Sequence, residues 1–170
     1  AYRFDWDAPV MASKHTTGTV YLGGNRLFIS KDFGSTWTRS KDLTRSINRD
    51  EIAMMGVLNK DIKLSRNDGD AISEISNFAE SPLDPKMLWV GTDDGNVQLS
   101  VDGGLNFTEL SKNISGVKDG TFVGDIVASG ASRGTAYVSF DAHRDGDFKP
   151  YLFKTTDFGK TWKAIVNGLP

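Results

Sequence analysis

One eight-residue segment recurs three times along the chain, and no other feature of the sequence restricts the fold as much. The copies read Ser30-Lys31-Asp32-Phe33-Gly34-Ser35-Thr36-Trp37, Ser100-Val101-Asp102-Gly103-Gly104-Leu105-Asn106-Phe107 and Thr155-Thr156-Asp157-Phe158-Gly159-Lys160-Thr161-Trp162. They share Ser or Thr, then Asp two residues on, Gly two further, and an aromatic three beyond that. Internal repetition marks an architecture whose units bury their apolar faces only against one another.

The surroundings of each copy define the unit. A short apolar run ends at the Ser or Thr: Arg26 to Ile29, Asn96 to Leu99, and Pro150 to Lys154. Another precedes it, Thr19 to Leu22, Met87 to Thr92, and Thr135 to Phe140. Gly23-Gly24-Asn25 and Asp93-Asp94-Gly95 separate the first two pairs, and these residue types tolerate the positive φ of tight hairpins. Further upstream lie Pro9 to Ala12, Ile72 to Ala79 and Thr121 to Ala128. Trp37 to Ser40, Phe107 to Leu110 and Trp162 to Val166 follow the motifs. Four short antiparallel strands per unit predict an all-β fold of β-propeller blades, about three of them, a partial propeller. The expected division is blade one over 1–44, an inter-blade excursion over 45–71, blade two over 72–111 and blade three over 112–170. The excursion accounts for motif anchors 70 and then 55 residues apart, and within it Glu51 to Leu58 reads as a helical turn or two.

Within the motif, the Asp accepts hydrogen bonds from backbone N–H groups one to three residues ahead, which the bend leaves without partners. Gly34, Gly104 and Gly159 supply positive φ without a Cβ clash. The aromatic, Trp37, Phe107 or Trp162, is expected to fold back under the hairpin and bury its ring. A device copied into every blade is structural, because an active site needs one constellation of unlike residues.

Composition narrows the partners. Twenty Lys and Arg against 22 Asp and Glu leave a charge of −2, so no net field draws the chain to nucleic acid or anionic lipid. Zero Cys excludes disulfides, Cys-ligated zinc, iron–sulfur clusters and thiol catalysis. No apolar run approaches the roughly 20 residues of a membrane helix, so no membrane insertion is expected.

The motif resembles the Asp-box, or bacterial neuraminidase repeat, of sialidases, sortilin-like receptors and xyloglucanase-type glycosidases. Tyr2-Arg3-Phe4-Asp5-Trp6, Asp42-Leu43-Thr44, Ala79-Glu80-Ser81-Pro82-Leu83, Val90-Gly91-Thr92-Asp93-Asp94-Gly95 and Lys149-Pro150-Tyr151 make the chain similar to the bacterial sortilin-like propeller group labelled glycosyl hydrolases. The resemblance implies a longer, exported bacterial protein, hence an extracellular or periplasmic location. Closed propellers have about four to eight blades. The expected partners are therefore the remaining blades of a larger propeller, or a second copy docked through apolar blade faces exposed at each end.

Candidate chemistry is sparse. The arginine triad that the sialidase resemblance would require is missing: Arg26, Arg39, Arg45, Arg49 and Arg133 are scattered. His15 and His143 belong to no Ser-His-Asp or metal-binding order. Glu80, Asp93, Asp94 and Asp125 lie near strand ends and are the carboxylates open to glycoside hydrolysis. Asp141, Asp145 and Asp147 form an oxygen-rich loop that is a weak Ca²⁺ candidate, the only cofactor suggested. Trp6 and Trp89 are candidates for sugar stacking, with core packing preferred for both. Asn106 and Asn113 head glycosylation sequons. The functional expectation is a noncatalytic binding or scaffold module recognising a peptide, protein or glycan; the alternative is a fragment of a glycoside hydrolase.

Overall fold

A computed structural model describes residues 1–54, 56–61 and 73–169, with backbone alone at Arg49 and Met54. The first sheet comprises β1 (Val10–Ala12), β2 (Val20–Gly23), β3 (Leu27–Ser30) and β4 (Thr38–Arg39). A two-stranded hairpin follows, β5 (Ala53–Met54) with β6 (Val57–Leu58). The second sheet holds β7 (Ile75–Ser81), β8 (Asp84–Thr92), β9 (Val97–Ser100) and β10 (Thr108–Glu109). The third holds β11 (Phe122–Ala128), β12 (Ala136–Asp141), β13 (Tyr151–Thr155) and β14 (Lys163–Ala164). Each sheet of four is antiparallel and ordered as the chain runs. The chain is all-β, and the three sheets are blades of a partial propeller.

Alternation along the strands distributes the core. Leu88 and Val90 of β8 join Tyr21, Leu27, Ile29, Leu43, Ile75, Phe78 and Phe107 in a cluster between the first two sheets. Met87 and Trp89, pointing the other way, join Val97, Leu99, Leu110, Val123, Ile126, Val138, Phe140 and Phe153 between the second and third. The middle sheet is thus buried on both faces, and its central strand reads as a continuous apolar run. Gly91 sets the close approach of the third sheet: a Cβ there would stand 2.4 Å from Val123 Cγ1. The first strands are innermost, with Ser76 Oγ of β7 donating to the Val123 carbonyl of β11 at 2.6 Å.

Two expectations need correction. Glu51 to Leu58 is no helix: Glu51 ends a 3-10 turn and β5–β6 follow, because Gly56 at φ +83° reverses the chain. Nor do both end faces match. The outward face of the first sheet carries Val20, Leu22, Phe28 and a Trp37 that is 41% exposed. By register, Tyr137 and Lys154 of the third sheet take the places of Tyr21 and Ile29, or Trp89 and Leu99. There the Lys154 ammonium lies 5.7 Å from the Tyr137 ring centre, so this end is mixed rather than apolar.

Candidate functional site

The repeated motif sits at the turn between third and fourth strands, and all three copies share one hydrogen-bond pattern. Asp32 Oδ1 accepts from Ser30 Oγ (2.8 Å) and Thr36 N (2.8 Å), and Oδ2 accepts from Thr36 Oγ1 (2.6 Å). Asp157 does the same with Thr155 and Thr161, and Asp102 with Ser100 and Asn106. The leading hydroxyl accepts from the glycine N–H at 2.8–2.9 Å: Gly34 to Ser30, Gly104 to Ser100, Gly159 to Thr155. In all three copies the Asp thus reaches four residues ahead, beyond the expected one to three, and Asp102 also accepts from Leu105 N, three ahead, at 3.0 Å. Its partner, Thr36, Asn106 or Thr161, occupies a position that the sequence pattern left open; its only signal is that all three residues are short side chains able to donate.

The aromatics behave differently from one another because only a preceding sheet buries them. Phe107 is 7% exposed against the first sheet, and Trp162 meets Trp89 of the second edge-on at 6.0 Å. Trp37 meets no such neighbour among the described residues and stays half out, its indole N–H donating to the Gly34 carbonyl at 3.0 Å. The residue before each motif glycine is also left-handed, at φ 58° for Phe33 and 62° for Phe158. Their rings lie over Gly18 and Gly134, while Gly103 takes that place where Lys86 replaces the opposing glycine.

These bonds make a titration prediction. Asp32, Asp102 and Asp157 are held down to about 2, chiefly by Thr36, Asn106 and Thr161. Folded values below the unfolded value of about 4 mean a contribution present above pH 4 and lost as pH falls from about 4 to 2. Urea midpoints measured across that window should drop with acid, and replacing all three with Asn should flatten the drop.

At the opposite end of the strands, the turn between second and third strands meets the segment leading into the first strand. Arg3 N donates to Asn25 Oδ1 (3.1 Å) and Asn25 N to the Arg3 carbonyl (3.0 Å). Glu74 N and Asp93 repeat this exchange at 2.8 and 3.0 Å. In the third sheet Asp141 pairs with Phe122. Asn25 Nδ2 donates to Asp42 (2.6 Å), and the Arg3 guanidinium spans Asp42, Thr44 and the Ser73 carbonyl. Among the described residues no cation takes this role at Asp93: burial, then the charges of Asp94 and Glu74, push its carboxyl up to about 7.

The remaining candidates disperse. Asp94 is buried, accepting from Thr92 Oγ1 (2.6 Å) and Arg45 N (2.7 Å). Glu80, also buried, accepts from Ser13 Oγ, Lys14 N and Tyr21 OH, and so ties the first two sheets together at the other end of β8. Burial and that Glu80 bond raise the Tyr21 phenol. Glu80 pairs with Leu88, five residues before Asp93, which separates the two carboxylates by roughly 16 Å along the strand, beyond the roughly 5–9.5 Å of glycosidase pairs. Asp125 is exposed on β11.

Asp141 bonds His143 (2.7 Å), Asp145 bonds Lys118 (2.9 Å) and Asp147 bonds Tyr151 (2.7 Å), three separate partners. Arg26 donates to the Ser40 carbonyl, Arg39 lies over Tyr2, Arg45 pairs with Asp119 and Arg133 with Asp84; the side chain of Arg49 lies outside the described residues. His15 Nε2 lies 2.8 Å from the Ser81 carbonyl oxygen. Both sequon asparagines use their amides internally, Asn106 on Asp102 and Asn113 on the Gly159 carbonyl. Trp89 is wholly buried and drops out as a stacking candidate; Trp6, expected in the core, is 82% exposed.

No protein-family model matches the chain. A probable oligoxyloglucan-reducing end-specific xyloglucanase of Neosartorya fischeri is 28% identical over 147 residues, 85% of this chain but 15% of that protein. The chain thus spans about a seventh of the length of the curated relative it matches. The crystal structure of the GH74 xyloglucanase from Xanthomonas campestris superposes on 96% of this chain and 24% of its own at a TM-score of 0.58 and 18% identity. YCF48 bound to D1 peptide does so on 95% and 42%, at 0.52 and 16%. The class so defined is the β-propeller, and this chain forms blades of one.

Proposed function

We propose that the chain is a noncatalytic binding or scaffold segment of a larger Asp-box propeller, completed by further blades and recognising a peptide, protein or glycan. The observation that carries this reading is the contrast between the repeated clasp and the candidate carboxylates. One end of the sheets repeats a single hydrogen-bonded clasp three times, as a structural device would be copied. The candidate carboxylates are not gathered at either end: Asp94, at the end opposite the clasps, holds Arg45 N, and Glu80, at the clasp end, ties the first two sheets together. A sortilin-like, exported bacterial protein is the setting that the sequence resemblance favours. No described helix is long and apolar enough to cross a membrane.

One observation favours a second reading. Asp93, a carboxyl poised near neutrality by its surroundings, has the character of a general acid, and the relatives named above include xyloglucanases. The test is reducing-end release from xyloglucan oligosaccharides by the intact protein. The binding reading expects no turnover above the blank. Turnover abolished in Asp93→Asn would establish hydrolysis instead.

A further inference from the structure

The first strand of every sheet is interrupted at one level. In β7 the register slips between Ile75 and Asn77, leaving Ser76 as an extra residue; in β11 it slips between Val123 and Asp125, leaving Gly124. The first sheet can be aligned with these through its own bonds. Arg3 and Asn25 exchange the hydrogen bonds that Glu74 and Asp93 exchange, which puts Phe4 at the place of Ile75. Gly23 N donates to the Pro9 carbonyl at 2.8 Å, and Gly23 corresponds to Gly91, the partner of Asn77, which puts Pro9 at the place of Asn77. Between Phe4 and Pro9 stand Asp5, Trp6, Asp7 and Ala8, four residues where the other sheets have one.

This inserted loop is braced. Trp6 N donates to Asp5 Oδ1 (2.6 Å) and Ala8 N to the Asp5 carbonyl (3.2 Å). At one end Phe4 stacks on Phe28 at 5.4 Å; at the other Pro9 packs against Gly23. At its tip Trp6 is 82% exposed, and Asp7 beside it is exposed with no partner among the described residues. Irregularities of this kind re-aim side chains and collect next to active sites, and an indole set in water on a loop with its own hydrogen bonds costs less to order when a ligand stacks on it.

We propose that Trp6, on the loop Asp5–Ala8 at the inner edge of the first sheet, is the stacking platform of a binding site for a neutral oligosaccharide or polysaccharide. The negative face of an indole packs on the C–H face of a pyranose, and the free Asp7 carboxylate accepts from sugar hydroxyls while repelling phosphates and acidic sugars. An open platform rather than an enclosed cavity suits a polymer that runs past it. The assignment rests on the binding reading above and names its ligand class; the similarity to xyloglucan-degrading proteins favours a glycan over a peptide.

The test is calorimetric titration of the intact protein with xyloglucan oligosaccharide, cellohexaose and, separately, a lysine-rich peptide. Trp6→Ala should weaken glycan binding by about tenfold or more, Trp6→Phe should retain part of it, and Leu105→Ala, 77% exposed at the opposite end of the sheets, should leave it unchanged. Because Trp6 lies in solvent, unaltered melting temperatures are expected for both Trp6 variants. Wild-type affinity in Trp6→Ala overturns the platform and leaves the binding reading standing. Binding of the peptide alone, lost in Trp6→Ala, overturns the ligand class, as does a folded wild type that takes neither glycan. Hydrolysis lost in Asp93→Asn overturns the binding reading itself.

Discussion

Trp89→Ala is expected to lower the free energy of unfolding by about 3–5 kcal/mol, the range for removing a buried large aromatic. Trp89 has no exposed surface, stands between the second and third sheets, and meets Trp162 edge-on. A Cβ on Gly159 would come 2.6 Å from Leu110 and 3.4 Å from the Trp89 ring, so the neighbourhood is already closed and has little backbone freedom to collapse into the hole. Urea denaturation of the variant measures the loss. The indole N–H finds no hydrogen-bond partner among the described residues. Trp89→Phe therefore forfeits volume but no hydrogen bond, and should cost clearly less than Trp89→Ala. A loss below about 1 kcal/mol for the alanine variant would mean that the sheets do not unfold as one unit.

The second large effect is a gain. Asp93→Asn should stabilise the chain at pH 8 by an amount on the order of a few kcal/mol, since each tenfold change in a group's proton affinity between the folded and unfolded chain is worth about 1.4 kcal/mol. The sign follows from the direction: a folded value of about 7, above the unfolded value of about 4, means that folding holds a proton which the unfolded chain releases. In the wild type this contribution favours folding most below about pH 4 and is lost as pH rises from about 4 to 7. Asparagine removes that dependence while keeping the backbone exchange, because Asn25 already makes the same two bonds with Arg3 in the first sheet. Melting temperatures of both forms between pH 4 and 8 should diverge with rising pH. Parallel curves would show that Asp93 titrates normally.

Much of the architecture is legible in the sequence because its signals are local. The spacing of Asp32, Gly34 and Trp37, and of their counterparts, names a turn; short apolar runs bounded by turn residues, Leu27 to Ile29 or Met87 to Val90, name strands. Thr36, Asn106 and Thr161 escape such a reading because short polar residues are common in any turn, and only coordinates show which one faces the carboxylate. The β5–β6 hairpin escapes it because apolar residues over so short a stretch fit either period.

Sequence alone thus determined the blades, their number in this chain and the clasp that ends each one, since these depend on dihedral preferences and contacts within a few residues. Which aromatics are buried, which end face is apolar, that Asp93 shares its surroundings with Glu74 and Asp94, and that Trp6 stands in solvent were decided by tertiary structure. Those properties belong to segments brought together from distant parts of the chain, where burial and charge depend on a neighbour that local spacing does not name.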